Sequence, residues 1–244
     1  MALIIFAIAG TMQAQHQWNS STPPAAAHGA TITIATGASG TLIVPENATV
    51  TINSSCVVDN GNWQITLNIS QNARVVWRAD YISRREPIDV VGSGIFEVAA
   101  GHIINTVSGF GQPNSAITTS SNSTIVVSGG EVSSWAHWSR AVIRSFHSAG
   151  IVTVSGGMVI ARGNSRQNGQ AIEVVGTLNV TGGLVIADLP QVVGGFGNGV
   201  VSRTPTGVVT GTIIGYTLGR FTYRRLNNRL SVFACFRSQC IVGN

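Results

Sequence analysis

The sequence predicts an all-β chain folded as a parallel β-helix, with coils of about 25–30 residues and a C-terminal cap. Three observations lead to it. The composition suits strands and turns: 29 Gly, much Val, Ile, Thr, Ser and Asn, no Lys, and charged residues at 9% against roughly 25% in an average globular chain. A strand–Gly–Gly–strand phrase is written three times, as IVVSGGEVSS at 125–134, VTVSGGMVIA at 152–161 and LNVTGGLVIA at 178–187. A second phrase falls between these in the same phase: SAIT at 115–118, RAVI at 140–143, QAIE at 170–173 and NGVV at 198–201.

The period selects the architecture. A propeller blade needs about 40 residues, and a leucine-rich repeat needs a Leu and Asn framework that is missing. One coil of a parallel β-helix suits the spacing. Coils stack at about 4.8 Å, so seven or eight of them make a rod of roughly 35–40 Å.

Residues 1–15 read as a signal peptide: a short apolar run at Leu3–Ala9, then small residues, with cleavage near Ala14 or Gln15. Residues 16–29 read as a linker, and 30–217 as the solenoid. Clean alternation places the first strands at 30–35, 41–44 and 48–52, with strand-like sequence continuing over 63–80. Residues 81–94 read as an excursion from the stack. In the repeats, Val152, Val154 and Val159 point inward, stacking on Ile125, Val127 and Val132 on one side and on Leu178, Val180 and Val185 on the other. Ser128, Gly129 and Gly130, then Ser155, Gly156 and Gly157, then Thr181, Gly182 and Gly183 form the corners. Glycine permits φ > 0 there, and the three hydroxyls are expected to form a ladder. The small residues Ala116, Ala141, Ala171 and Gly199 suit a second crowded corner. Residues 218–244 break the period and read as a cap, a hairpin or short helix over the open end of the solenoid. Cys235 and Cys240 can close a small disulfide loop, which leaves Cys56 as a small buried residue.

The Ser/Thr-Gly-Gly phrases, the opening GTLIVPENATVTI and the signal-like start resemble secreted right-handed β-helix proteins of the pectin-lyase-like superfamily. The resemblance is strongest to adhesin-like bacterial surface proteins and covers roughly residues 30–217. It implies a right-handed coil and a range of roles: polysaccharide lyase, glycoside hydrolase, adhesin or carbohydrate-binding surface protein.

Chemistry on the rod is sparse. The four Asp (Asp59, Asp80, Asp89 and Asp188) share no repeat position, and the hydrolase motifs of that superfamily are absent. The densest charged group, Arg78, Asp80, Arg84, Arg85, Glu86 and Asp89, reads as an exposed, self-neutralising loop. Three Cys without a nearby His give no zinc spacing, and no motif asks for a cofactor. The net charge of +5 comes from scattered Arg, with five in the last 25 residues and no nucleic-acid motif carrying it. No segment after the signal is long and apolar enough to span a membrane. The aromatic stretch SSWAHWSRAVIRSFH at 133–147 stands out. Trp135 and Trp138 can stack on sugar rings, with His137, Arg140 and Arg144 donating to hydroxyls. The expected function is therefore a non-catalytic, secreted, adhesin-like protein binding a glycan or another surface macromolecule. A polysaccharide-active enzyme and a stalk fragment of a longer protein are the alternatives. Six N-x-Ser/Thr sequons, at Asn19, Asn47, Asn53, Asn68, Asn122 and Asn179, read as by-products of composition.

Overall fold

The computed structural model describes residues 14–106, 115–134, 141–162, 170–188, 201–202, 212–216, 233–236 and 239–242. The chain starts with β1 (Gln15–Trp18) and β2 (Thr31–Ile34). Strands then come in threes: β3 (Gly40–Val44), β4 (Thr49–Ser54) and β5 (Val58–Asp59); β6 (Ile65–Ile69), β7 (Arg74–Trp77) and β8 (Asp80–Ser83); β9 (Ile88–Gly92), β10 (Ile95–Val98) and β11 (His102–Asn105). Three more triplets follow: β12 (Ile117–Thr119), β13 (Thr124–Val127) and β14 (Glu131–Ser134); β15 (Ala141–Ser145), β16 (Ile151–Val154) and β17 (Met158–Arg162); β18 (Gln170–Val174), β19 (Thr177–Val180) and β20 (Leu184–Asp188). β21 (Val201–Ser202), β22 (Thr212–Tyr216), β23 (Phe233–Phe236) and β24 (Gln239–Val242) end the order.

Members of a triplet do not pair with one another. Each pairs, parallel and in register, with its counterpart one coil away. Three sheets result. Sheet I runs β3-β6-β9-β12-β15-β18-β21, sheet II runs β1-β2-β4-β7-β10-β13-β16-β19, and sheet III begins β5-β8-β11-β14-β17-β20-β22. This is the expected β-solenoid. Six triplets make up its body, with partial coils at both ends. The eight strands of sheet II span seven steps, roughly 34 Å at about 4.8 Å per step. At the far end β24 pairs antiparallel with β22, and β23 with β24, so the parallel direction stops there. No helix occurs among the described residues, and so none that could cross a membrane.

The core consists of inward columns. On sheet II one column is Ile52, Trp77, Val98, Val127, Val154 and Val180, and the next is Val50, Val75, Phe96, Ile125, Val152 and Leu178. Every member is 0–1% exposed. Tyr81, Ile103, Val132, Val159 and Val185 form the column of sheet III. Burying one such side chain contributes about 1.5–3 kcal/mol. One column of six therefore gains on the order of 10 kcal/mol gross, comparable to the net stability of a whole domain. Trp77 meets Tyr81 and Phe96 edge-on, with ring centroids 5.8 and 6.1 Å apart.

Several expectations need correction. Residues 81–94 are no excursion; they hold β8, the corner 84–87 and β9, all in register with their neighbours. The two Arg there sit in a corner, where solvent is available whatever the stack does. Within the expected linker, β1 already adds a rung to sheet II, and Trp18 is fully buried at its end. Cys56 is exposed rather than buried, because it lies in the corner 55–57 outside the strands. The second phrase slips by one residue between copies. Ile117, Ile143, Ile172 and Val201 stack, so Val142, not Ala141, takes the place of Ala116 and Ala171. The signal-peptide residues 1–13 lie outside the described residues.

The corners from sheet II to sheet III explain the Gly-Gly pairs. Gly130, Gly157 and Gly183 have φ of 68°, 64° and 69°. A Cβ on Gly157 would also lie 2.6 Å from the carbonyl carbon and oxygen of Gly129 one coil away. The preceding Gly156 has no positive φ, but its Cβ would run into the carbonyl oxygen of Ser128. Both glycines are thus required by backbone stacked on backbone. No hydroxyl ladder forms. Ser128, Ser155 and Thr181 are exposed, and the Ser128 hydroxyl donates to Glu97 Oε1 at 2.5 Å instead. Hydroxyls that point away from the coil axis reach a neighbouring side chain more easily than one another.

Candidate functional site

Alternation in sheet I turns one residue outward after each inward Ile. Ile65, Ile88, Ile117, Ile143 and Ile172 stack inside, and Thr66, Asp89, Thr118, Arg144 and Glu173 stack outside in the same register. The outer row therefore places one polar group at each rung, about 4.8 Å apart along the rod axis. Thr118 Oγ1 donates to Asp89 Oδ1 at 3.3 Å. Arg144 Nε donates to Glu173 Oε2 at 3.0 Å. The Arg144 guanidinium also lies over the Phe146 ring, 4.2 Å from its centroid. Arg144 and Glu173 are only 6% and 8% exposed, although they leave the core side of the sheet. Low dielectric strengthens their attraction, and it makes each depend on the other.

Two further carboxyls meet this row. Burial raises the pKa of Glu86, on the corner 84–87; Arg144 opposes the shift and Asp89 adds to it. Burial also raises the pKa of Asp89, against the stabilising hydrogen bond from Thr118. Both acids therefore hold a proton more readily than free carboxyls. Glu86 thus feels both Asp89 and Arg144, although these come from two coils. The sequence reading of Arg78 to Asp89 as a self-neutralising loop is corrected accordingly. Glu86 and Asp89 turn to sheet I, while Asp80 lies on sheet III and pairs with His102, Oδ1 to Nδ1, at 2.6 Å. Glu97 on sheet II behaves oppositely to Glu86. Its burial is outweighed by hydrogen bonds from Ser128 and Arg74 and by the charges of Arg74 and Arg78, so its pKa falls.

Of the five residues expected to contact a ligand, Trp135, His137, Trp138 and Arg140 lie outside the described residues. Arg144 is described, and its guanidinium is taken up by Glu173 and Phe146 rather than free to meet a ligand. The stretch 135–140 runs directly from β14 into β15, so chain connectivity delivers it to the strand bearing Arg144. Sequence reasoning missed the outer row of sheet I. Its signal was present: the residue after Ile in IDV, ITT, IRS and IEV is the row itself. Cys235 and Cys240 stand opposite each other across the β23–β24 pair, the arrangement a short disulfide loop needs. Among the described residues, no three His, Cys, Asp or Glu gather as metal ligands.

The chain matches no family model, and comparison with curated proteins and with solved structures found no match.

Proposed function

We propose that this chain is a secreted, adhesin-like, non-catalytic solenoid that binds a glycan or another surface macromolecule along sheet I. The observation that carries the reading is the outer row Thr66–Asp89–Thr118–Arg144–Glu173: Thr66, Asp89 and the neighbouring Phe146 are partly exposed, while the buried Arg144–Glu173 pair holds the row in place. Polar groups repeated at a constant step on a rigid face suit a polymer of repeating hydroxylated units. Many weak contacts then add along one chain, and display in several copies multiplies them. In the sequence, Trp135 and Trp138 lie between β14 and β15, the strand that carries Arg144.

The test is a glycan array probed with the protein from about His16 onward, beside a Trp135→Ala/Trp138→Ala variant. Binding that the variant loses, with unchanged circular dichroism, supports the face and its edge as the site. Absence of binding to every glycan sinks the reading and leaves a stalk.

A second reading is a polysaccharide-active enzyme. It is favoured by one observation: Glu86 and Asp89 are both held toward the protonated form, and Glu86 lies in the field of Arg144. A weak acid beside a fixed cation is what proton transfer at a sugar ring requires. Release of new reducing or unsaturated ends from a polysaccharide, abolished in Glu86→Gln and Asp89→Asn, would establish it.

A further inference from the structure

The glycan reading can be narrowed to a second place on the rod. Trp63 is 56% exposed. It lies in the corner 60–64, on the same III-to-I edge as the stretch 135–140 but toward the other end of the stack. A large exposed aromatic that is held rigidly is the usual anchor of a binding surface. The backbone that presents Trp63 is fixed. Its amide donates to the Asn60 carbonyl at 3.1 Å. Its carbonyl accepts from Ser83 Oγ at 3.0 Å and from the Tyr81 hydroxyl at 3.3 Å.

Asn60 fixes the corner beneath it. Its buried amide group accepts from Gly37 N at 2.6 Å and donates to the Ala38 carbonyl at 2.5 Å and to the Tyr81 hydroxyl at 2.7 Å. Three successive levels of the edge are tied together through one side chain. None of these bonds uses the Trp63 indole. The next level brings Arg84, whose amide donates to the Gly61 carbonyl at 2.5 Å, and then Arg85. Both Arg are exposed. The cation–aromatic contact among the described residues is Arg144 on Phe146, so the face of Phe146 is occupied and that of Trp63 is not covered by a cation.

We infer that Trp63, Arg84 and Arg85 form a glycan subsite for a sugar ring bearing an anionic substituent, a carboxylate or a sulfate. The indole takes the apolar face of the ring. The two guanidinium groups, carried by the next level of the same edge, take the anion. A chain of net charge +5 favours the approach of such a polymer. Asp59 does not oppose it directly, since its Oδ1 accepts from Gly61 N at 3.2 Å within the corner. The inference rests on the glycan reading and deepens it.

The experiment is titration calorimetry of the secreted chain with three probes: oligogalacturonate, a sulfated dextran oligosaccharide and neutral cellohexaose. Each is run at low and high salt, on the wild type, Trp63→Ala, Arg84→Gln/Arg85→Gln and Trp135→Ala/Trp138→Ala. At least one anionic probe should bind more tightly than the neutral one, and the two anionic arms show which anion is preferred. Trp63→Ala should weaken it about three- to tenfold, as expected for one lost stacking partner. Arg84→Gln/Arg85→Gln should weaken it and flatten the salt dependence. Unchanged affinity in Trp63→Ala, with an unchanged melting temperature, overturns the subsite; if the Trp135→Ala/Trp138→Ala variant then loses binding, the glycan reading itself survives. A neutral probe bound as tightly as both anionic ones also overturns it. No binding of any probe by the wild type overturns the subsite, and the array separately decides the wider reading.

Discussion

Two corners of the same coil follow opposite rules. From sheet II to sheet III the link barely changes: 78–79, 99–101, 128–130, 155–157 and 181–183. From sheet III to sheet I it runs over 60–64, 84–87, 106–116, 135–140, 163–169 and 189–200. The first corner stacks backbone on backbone, so an inserted residue would break contact with two neighbouring coils. The second changes in length from coil to coil, and its chemistry changes with it. Repeat proteins put regularity where packing needs it and variation where binding occurs. Trp63, Arg84, Arg85 and Glu86, and the Trp135–Arg140 stretch, all fall on the variable edge.

The sharpest way to break this comparison is one glycine from each corner. Gly157→Val adds a β-branched side chain at φ 64°, with a Cβ 2.6 Å from the Gly129 carbonyl. It should destabilise the protein by at least about 4 kcal/mol or prevent folding. Gly61 has a similar φ, 57°, yet nothing lies within 4 Å of its Cβ. Gly61→Ala should therefore show the backbone term alone, about 1–2 kcal/mol. Equal losses in urea denaturation would mean that stacking at the Gly-Gly corner is not what selects glycine there.

The next largest effect lies where the variable edge meets sheet I. Arg144→Met removes the partner of a buried carboxylate. It should cost about 3 kcal/mol, while Arg144→Met/Glu173→Leu should recover most of that loss. If the double variant is no better than the single, the ion pair is not what Arg144 supplies.

These contrasts also show how far the sequence could be read. The inward columns were legible because Val152, Val154 and Val159 repeat with their neighbours at a constant phase, and burial has no other way to satisfy them. The Gly-Gly corner was legible because no other residue fits. The slip of Val142 into the place of Ala116 was not, since small side chains look alike in a phrase and only hydrogen-bond register separates them. The excursion expected at 81–94 does not occur, because a corner such as 84–87 holds Arg84, Arg85 and Glu86 without leaving the stack. The polar row of sheet I was hidden because its members differ in kind; position after Ile, not chemistry, unites them. Trp63 was invisible as a site because exposure of a single aromatic depends on the fold around it.

A smaller effect tests the constant corner from its outer side. Ser128→Ala removes a hydrogen bond to the Glu97 carboxylate and should cost about 1–2 kcal/mol at neutral pH. The folded pKa of Glu97 lies below its unfolded value. Its contribution is therefore present above the ordinary carboxylate range and lost as pH falls through the folded pKa. Wild type and variant should converge in thermal stability on acidification. A gap that persists in acid would assign the Ser128 effect to the corner backbone rather than to Glu97.

The smallest effect has the opposite sign. Asp89 sits on the variable-edge side of sheet I, and burial raises its folded pKa above the unfolded one. A raised carboxyl stabilises the fold most when protonated, fully below the unfolded pKa, and that gain is lost as pH rises through the folded pKa. Asp89→Asn imitates the protonated form and can still accept from Thr118 Oγ1. It should stabilise the fold slightly at neutral pH, seen as a small rise in melting temperature, and the wild type should catch up in mild acid. Opposite pH trends for Ser128→Ala and Asp89→Asn would mean that one solenoid holds its carboxylates ionised beside the invariant corner and biased toward the proton beside the variable one. A neutral-pH loss in Asp89→Asn would place the Asp89 charge among the stabilising contacts of sheet I.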